Sequence, residues 1–326
     1  MKVENLKPFD GQHCETTATG TLLLQIGIEL SEPMLFGLGQ GLGFIYWNMK
    51  SMDFPFIGGR VKTDLLTHNI AGNLNLELTV KETSSKQKAW DNVKQLLDRG
   101  QVVGLKLDCY HLEYFSNPFH FAGHYAAIYG YDHENAFLVD TRQQGGQVKT
   151  SLGSLALARA EKGPMASKNL YYTLQQTGKK CDIKKAVPTA IRNNAIEYLN
   201  PPITNIAYKG ILKTSTEIVK WFNTSEDIEN EFKTSATIME RGGTGGALFR
   251  NLYRDFLKES YDLLQLRQLK TGYESFTEIA RLWTIISDLF IKVSQTKDFK
   301  YIRQASNILR TISDQEKATM KILATI

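Results

Sequence analysis

Hydrophobic and polar positions follow different periods in the two halves of the chain. Short apolar runs at 102–107, 125–131 and 136–140 have the length and composition of strands. The polar residues 132–135 lie between the last two runs and predict the turn of a hairpin. Segment 85–99 instead has a helical apolar face with Gly100 as its stop. The first half therefore predicts a mixed α+β domain with an antiparallel sheet.

The pattern changes after Gln175, because apolar residues then recur at helical spacing almost to the end. The polar segment 177–180 is a candidate linker. We therefore predict two domains, residues 1–178 with the sheet and residues 179–326 as an all-α domain.

Composition and charge exclude several classes of protein. The chain has 326 residues and a net charge of +5, with no dense Lys/Arg block carrying interleaved aromatic residues. Nucleic-acid binding is therefore not expected. The N-terminal residues lack a signal-peptide core, and no apolar run reaches membrane-spanning length. The three cysteines contain no CxxC pair, so we expect a reducing cytoplasm and neither a disulfide framework nor a metal site. The sequence leaves a homo-oligomer open.

Cys14 is the candidate nucleophile. Pro8 and Gly11 interrupt regular structure before it, and helix-compatible residues follow. A helix N-terminus favours an anion, which is one of the settings that make a cysteine reactive. A buried, inert cysteine is the alternative, and the catalytic interpretation requires a histidine elsewhere in the chain.

His124 and Asp140 could complete a catalytic set. His124 opens one strand of the predicted hairpin and Asp140 closes the other, so imidazole and carboxylate can meet. Simple pairing places Asp140 opposite Ala127, so the contact requires a diagonal approach, a bulge or a twist. His124 would act as the base and Asp140 would fix its tautomer. The side chain of Gln12 or the backbone N–H of Cys14 could bind an oxyanion.

Other residues are candidates for support or substrate binding. His13 adjoins the nucleophile, but neighbouring side chains point apart. Near the end of the predicted central strand, Asp108 and Tyr114 could line the pocket or orient substrate amines, or they could cap and pack the loop. His120 could support the pocket or satisfy backbone groups, and Tyr110 is a further substrate-binding candidate. A glycine-rich segment before a strong helix could bind an anion or form a tight turn, and its candidates are Glu240, Arg241, Gly243 and Thr244.

The glycines of segment 37–43 do not fit a dinucleotide fingerprint. Leu42 and Phe44 occupy positions where that register needs glycine, and a strand follows rather than a helix. We expect a loop near the site, in which the glycines allow positive φ and close backbone approach. The sequence predicts no cofactor.

Three groups of residues together resemble the butirosin biosynthesis protein H family. They are the sequence 13–17 (HCETT) with 30–39 (LSEPMLFGLG), His120-Phe121-x-x-His124, and the segments 241–246 and 249–253. The resemblance implies a papain-like N-terminal domain and a helical second domain. It implies an acyl-enzyme on Cys14, with His124 as base and Asp140 as orienting acid.

The resemblance also implies an activity, because the named member of the family transfers an aminoacyl group from a carrier-protein thioester to an aminoglycoside amine. We therefore expect an acyltransferase of secondary-metabolite biosynthesis, with an acyl carrier protein or thioester as donor and a small amine as acceptor. A cysteine amidase or peptidase using the same residues is the alternative. A noncatalytic binding protein on the same scaffold is a third.

Overall fold

The computed structural model describes residues 1–50, 52–163, 165–178 and 181–326. The chain forms two compact units, and both are discontinuous in sequence. The first comprises Met1–Leu35 and Thr63–Cys181, and the second Phe36–Lys62 and Asp182–Ile326. The sequence-based division placed residues 36–62 in the first domain, whereas they cluster with the helical unit. Lys179 and Lys180 of the candidate linker lie outside the described residues.

The protein is α+β, with antiparallel sheets and a helical C-terminal region, as predicted. The strands are β1 (Leu42–Trp47), β2 (Phe56–Arg60), β3 (Leu76–Lys81), β4 (Val103–Leu107), β5 (His124–Tyr131), β6 (Asn135–Val139), β7 (Gln147–Ser151) and β8 (Tyr171–Gln176). The helices are α1 (Cys14–Gln25), α2 (Glu32–Leu38), α3 (Leu65–Asn73), α4 (Lys86–Asp98), α5 (Leu152–Ala160), α6 (Ile183–Leu199), α7 (Ala207–Thr224), α8 (Ile228–Arg241), α9 (Arg250–Leu264), α10 (Arg267–Thr296) and α11 (Phe299–Leu323). Short 3₁₀ turns cover Cys109–His111, Arg142–Gln144 and Ala247–Phe249.

A six-stranded antiparallel sheet is the centre of the first unit. Its strand order is β3-β8-β4-β5-β6-β7. Every residue of β4 is buried, which explains its nearly continuous apolar sequence. Helix α1 packs on β5 and β4, with Ala18, Leu22 and Leu23 in the core. This packing brings the N-terminal end of α1 to the region where β4 ends and β5 begins.

The β5–β6 hairpin contains a bulge, which is one of the three departures from simple pairing that the sequence left open. Its turn is closed by Asp132, whose Oδ1 accepts hydrogen bonds from the backbone of Glu134 and Asn135. Ala127 pairs with Val139, but the register shifts between Ile128 and Gly130. The extra residue moves the end of β6 by one position towards the start of β5.

The second unit combines the β1–β2 hairpin with a helical assembly. Helix α10 packs on α8, α9 and α11, and α7 packs on α11 and β1. The centre of this assembly holds a buried ion pair between Arg250 and Glu316, beside Trp283. Among the described residues, no helix combines the length and apolar character needed to cross a membrane.

The glycine segment 37–43 is less loop-like than predicted, because it begins inside α2 and ends inside β1. The positive φ falls on Gln40, at 52°, rather than on a glycine of this segment. Close approach explains Gly37 and Gly43 instead. A Cβ at Gly37 would collide with the Phe256 ring, and one at Gly43 would lie 2.7 Å from the backbone of Arg60.

Candidate active site

Cys14 is the first residue of α1. The preceding residue, His13, has extended backbone geometry and makes no side-chain cap bond to the helix. The Cys14 side chain is therefore at the positive end of a 12-residue helix, without a competing cap from His13. The residue is 9% exposed, so a small part of its surface is open to a reactant.

Glu32 of α2 fixes the segment that leads to Cys14. Its carboxylate accepts hydrogen bonds from the backbone N–H groups of Gln12 and His13, at 2.8–3.0 Å. The Thr16 hydroxyl donates to the same carboxylate at 2.8 Å. The Gln12 side chain is exposed, and the buried His13 ring lies beside the Thr16 hydroxyl. His13 and Glu32 therefore belong to a network that shapes the backbone before Cys14.

His124 and Asp140 are directly bonded. Leu107 pairs with His124, which places this imidazole at the end of the buried strand β4. The bulge brings Asp140 opposite Ala126, on the same sheet face as His124. The His124 Nε2–H donates to Asp140 Oδ2 at 2.7 Å, with both side chains buried. Because Asp140 engages Nε2, Nδ1 is the ring nitrogen that is not bonded to this carboxylate.

Two further donors fix the Asp140 carboxylate. The Tyr114 hydroxyl donates to Oδ2 at 2.7 Å, and the Thr141 backbone N–H donates to Oδ1 at 2.6 Å. Tyr114 therefore contacts the predicted orienting acid, not only a pocket surface. Burial and the charge of Asp140 raise the pKa of Tyr114 well above its ordinary value, so the phenol stays protonated as a donor.

The charges around His124 favour its protonated form. Burial by itself would lower the His124 pKa, but the negative charge of Asp140 and the thiols of Cys109 and Cys14 raise it well above its ordinary value. Cys14 is thus close enough to act electrostatically on the imidazole. An imidazolium beside a thiol is the pairing that stabilises a thiolate.

Cys109 is a member of this cluster that the sequence did not assign. It lies two residues after β4, and its backbone N–H donates to Phe121 at 3.3 Å. Burial raises the pKa of the Cys109 thiol, and His124 offsets part of that effect. The feature that could have assigned Cys109 to this cluster is its position, because it follows the strand that pairs with His124. That pairing is not visible in a single sequence.

Asp108 caps the loop after β4. Its Oδ1 accepts from the backbone of Tyr110 and Phe121, and its Oδ2 contacts His120 Nδ1 at 2.9 Å. These bonds hold the pKa of Asp108 below its ordinary value despite its burial. The His120 ring stacks on Tyr110 with centroids 4.0 Å apart. Loop capping, one of the two predicted alternatives, thus accounts for Asp108, while substrate binding by this group stays a prediction.

The glycine-rich segment of the second unit forms a turn after α8. Thr244 is buried, donates to the Met239 carbonyl and accepts from the Gly246 backbone. Glu240 Oε2 accepts from the Ala247 backbone N–H at 3.2 Å. A protein carboxylate therefore already binds one N–H in the predicted anion position. Arg241 is exposed and Gly243 has a positive φ of 71°, as a tight turn needs.

Comparisons of the sequence with protein families match two consecutive segments of the chain. The family described as butirosin biosynthesis protein H, N-terminal, matches residues 13–141. The family described as domain of unknown function (DUF4872) matches residues 153–323. This chain belongs to the butirosin biosynthesis protein H family. The matched range of its N-terminal family contains Cys14, Cys109, His124 and Asp140. A comparison with curated proteins gave no match.

Proposed function

We propose that this member of the butirosin biosynthesis protein H family is a cysteine-dependent acyltransferase. The acyl group would come from a thioester on a carrier protein and pass to a small-molecule amine. The observation that carries the proposal is the buried His124–Asp140 bond through Nε2, with Cys14 acting on the same imidazole. A nucleophile at a helix N-terminus beside a His–carboxylate pair is the arrangement implied by a papain-like domain.

The reaction has two steps. Cys14 Sγ attacks the thioester carbonyl carbon, so that a new S–C bond forms as the carrier's S–C bond breaks, and His124 returns a proton to the departing thiolate. An amine then attacks the acyl-enzyme, and a C–N bond replaces the bond to Cys14. His124 accepts the amine proton in this step. Asp140 holds the imidazole so that Nδ1 of His124 faces the reacting atoms.

The oxyanion would be bound by the Cys14 backbone N–H and the exposed Gln12 side chain. The backbone N–H groups of Gln12 and His13 already bind Glu32, so they are poor candidates for this role. Substrate contacts are proposed for Tyr110 and His120 of the first unit, which are both exposed.

We favour Cys14 over Cys109 as the nucleophile. Cys109 is 1% exposed, and burial raises the pKa of its thiol. Cys14 is more exposed and lies at the N-terminus of α1, where the helix dipole favours a thiolate. Cys109 is therefore the matched control for Cys14.

The test is incubation of the protein with acyl-pantetheine thioesters, followed by intact-mass and peptide mass spectrometry. Wild type should gain one acyl group on the peptide that contains Cys14. Cys14→Ser should gain none, and Cys109→Ser should still form the adduct. An adduct on Cys109, or no adduct with a range of acyl groups, would contradict the proposal.

A second measurement separates transfer from hydrolysis. Adding a panel of diamines and aminoglycosides to the preformed acyl-enzyme should produce an amide faster than water releases the acid. Prompt hydrolysis that ignores added amines would instead identify an amidase or a peptidase.

A further inference from the structure

A cluster of two imidazoles and two carboxylates lies on the first unit, around the loop that follows β4. One ligand atom each of Asp108, His120 and Glu161 lies within 4.8 Å of the others, and no other described residues form such a group. His111 Nε2 contacts Glu161 Oε2 at 3.1 Å. The ligand atoms are close enough for small side-chain movements to bring all three around one ion.

The Asp108 carboxylate is fixed in a way that suits a ligand. The Tyr110 and Phe121 backbone N–H groups occupy Oδ1, at 3.0 and 2.9 Å. Oδ2 contacts His120 Nδ1, whose proton a metal ion would displace. A buried carboxylate held on one oxygen and directed on the other loses little conformational freedom when it binds a metal.

The other two groups are held by neighbours and reachable from solvent. The His120 side chain is 61% exposed, and its ring is oriented by stacking on Tyr110. Glu161 is the residue after α5, and His111 holds its carboxylate from the other side. The exposed His120 ring therefore makes the site accessible to an ion from solvent. The carboxylates of Asp108 and Glu161 are already held in position by their neighbours.

We propose that Asp108, His120 and Glu161 bind one divalent transition-metal ion of the zinc class. One nitrogen and two oxygen ligands leave a coordination position for water, and an imidazole ligand favours Zn²⁺ or Co²⁺ over Mg²⁺ or Ca²⁺. His111 orients Glu161 from outside the ligand set. The ion would join the loop 109–123, which carries Tyr114, to the end of α5.

The site shares His120 with the proposed substrate contacts but includes none of Cys14, His124 and Asp140, so metal binding and acyl-enzyme formation can be tested separately. The probe is Co²⁺, titrated into metal-free Cys14→Ser protein and followed by visible absorption. Removing the Cys14 thiol prevents thiolate binding there, and any remaining sulfur ligand would show as an intense near-ultraviolet charge-transfer band.

We expect one Co²⁺ per chain with a visible d–d spectrum and no such band, displaced by Zn²⁺. His120→Ala and Glu161→Gln should each weaken binding at least tenfold, and His111→Ala about 10- to 100-fold, as loss of an outer partner does. His133→Ala, in the exposed β5–β6 turn, is the matched control and should bind as well as the parent.

Amide hydrogen exchange of the loop 109–123 gives a second test of metal binding that does not depend on visible absorption. Zn²⁺ should slow its amide exchange in Cys14→Ser protein but not in the His120→Ala derivative. No Co²⁺ uptake, or uptake that His120→Ala and Glu161→Gln leave unchanged, would overturn the proposal. Circular dichroism of each variant verifies that it is folded.

Discussion

Two buried carboxylates, one in each unit, have similar surroundings and different partners. Asp140 and Glu316 are both fully buried, and each accepts several hydrogen bonds, including one from a tyrosine hydroxyl. Asp140 pairs with His124, whereas Glu316 pairs with Arg250 through two bonds of 2.9 and 3.0 Å. The difference lies in whether the cation can lose its proton.

Arg250 keeps its charge at any ordinary pH. Burial opposes that charge, but Glu316 more than compensates and raises the pKa of Arg250 further. Trp283 donates to the same carboxylate, at 3.1 Å. This pair can fix packing but cannot transfer a proton. His124 carries the same charge on a group that can release it, so burial and pairing alone do not identify a catalytic site.

The largest effect is expected from Asp140→Asn. The Thr141 N–H holds an oxygen at the Oδ1 position, so the amide NH₂ of asparagine would face His124 and force the proton onto Nδ1. The imidazole could then not accept the thiol proton, and alkylation of Cys14 by iodoacetamide should slow by about 10²–10⁴-fold at pH 7. Peptide mass spectrometry measures this rate, with the exposed Asp91→Asn as control. An unchanged rate would remove Asp140 from the mechanism.

Arg250→Met should act on stability instead. It leaves the buried charge of Glu316 without its ion pair, and the free energy of unfolding should fall by about 3–5 kcal/mol. Urea denaturation followed by tryptophan fluorescence reports this unit, which holds Trp47, Trp221 and Trp283.

The double variant Arg250→Met/Glu316→Leu should recover much of that loss, because no buried charge remains. The exposed pair of Arg281 and Glu278 supplies the control, and Arg281→Met should have no measurable effect. Cys14 alkylation in folded Arg250→Met protein should match wild type. A slower alkylation would mean that the two networks are not independent.

Tyr114→Phe should have a smaller effect on the site. Loss of a hydrogen bond to a charged group costs about 1.5–3 kcal/mol, so Cys14 alkylation should slow by about 10- to 100-fold at most. Without the phenol, more of the Asp140 charge acts on His124, and the midpoint of the imidazole titration seen by NMR should move upward. Tyr110→Phe, which alters an exposed ring, should leave both readouts unchanged. A purely structural role for Tyr114 would not move the titration.

The smallest effect is a dependence of stability on pH. The His124 pKa is raised in the folded state, so its stabilisation is fully present below about pH 6.5 and is lost as the pH rises towards the folded-state pKa. Between pH 6.5 and 8.5 the free energy of unfolding should fall by at most about 1.4 kcal/mol per pH unit. Urea titrations should show this slope in wild type and its loss in His124→Gln. Equal slopes in both would assign the dependence to other groups.

Local patterns predicted much of the first unit. The helix over 85–99 is α4, and the Ser85 hydroxyl accepts from the Lys88 backbone as its cap. The β5–β6 hairpin follows from strand residues on either side of a polar turn. A departure from simple pairing was predictable too, because simple pairing does not bring His124 and Asp140 together, but the sequence did not distinguish a bulge from a diagonal approach or a twist.

The roles of residues whose contacts are distant in sequence were not predictable. Nothing in the sequence around Glu32 indicates that its carboxylate binds the backbone before Cys14. Cys109 looked like an isolated cysteine until strand pairing brought it to His124. The membership of residues 36–62 in the helical unit likewise depends on packing, as between Phe36 and Phe249. A single sequence records local preference, not which segments meet.

The Glu32 carboxylate has a consequence for any attempt to redesign the proposed acyl transfer. It binds two adjacent main-chain amides and a hydroxyl, and those donors are thereby removed from the pool that a bound acyl group could use. Replacing Glu32 would release these amides, but it would also free the backbone that aims the sulfur.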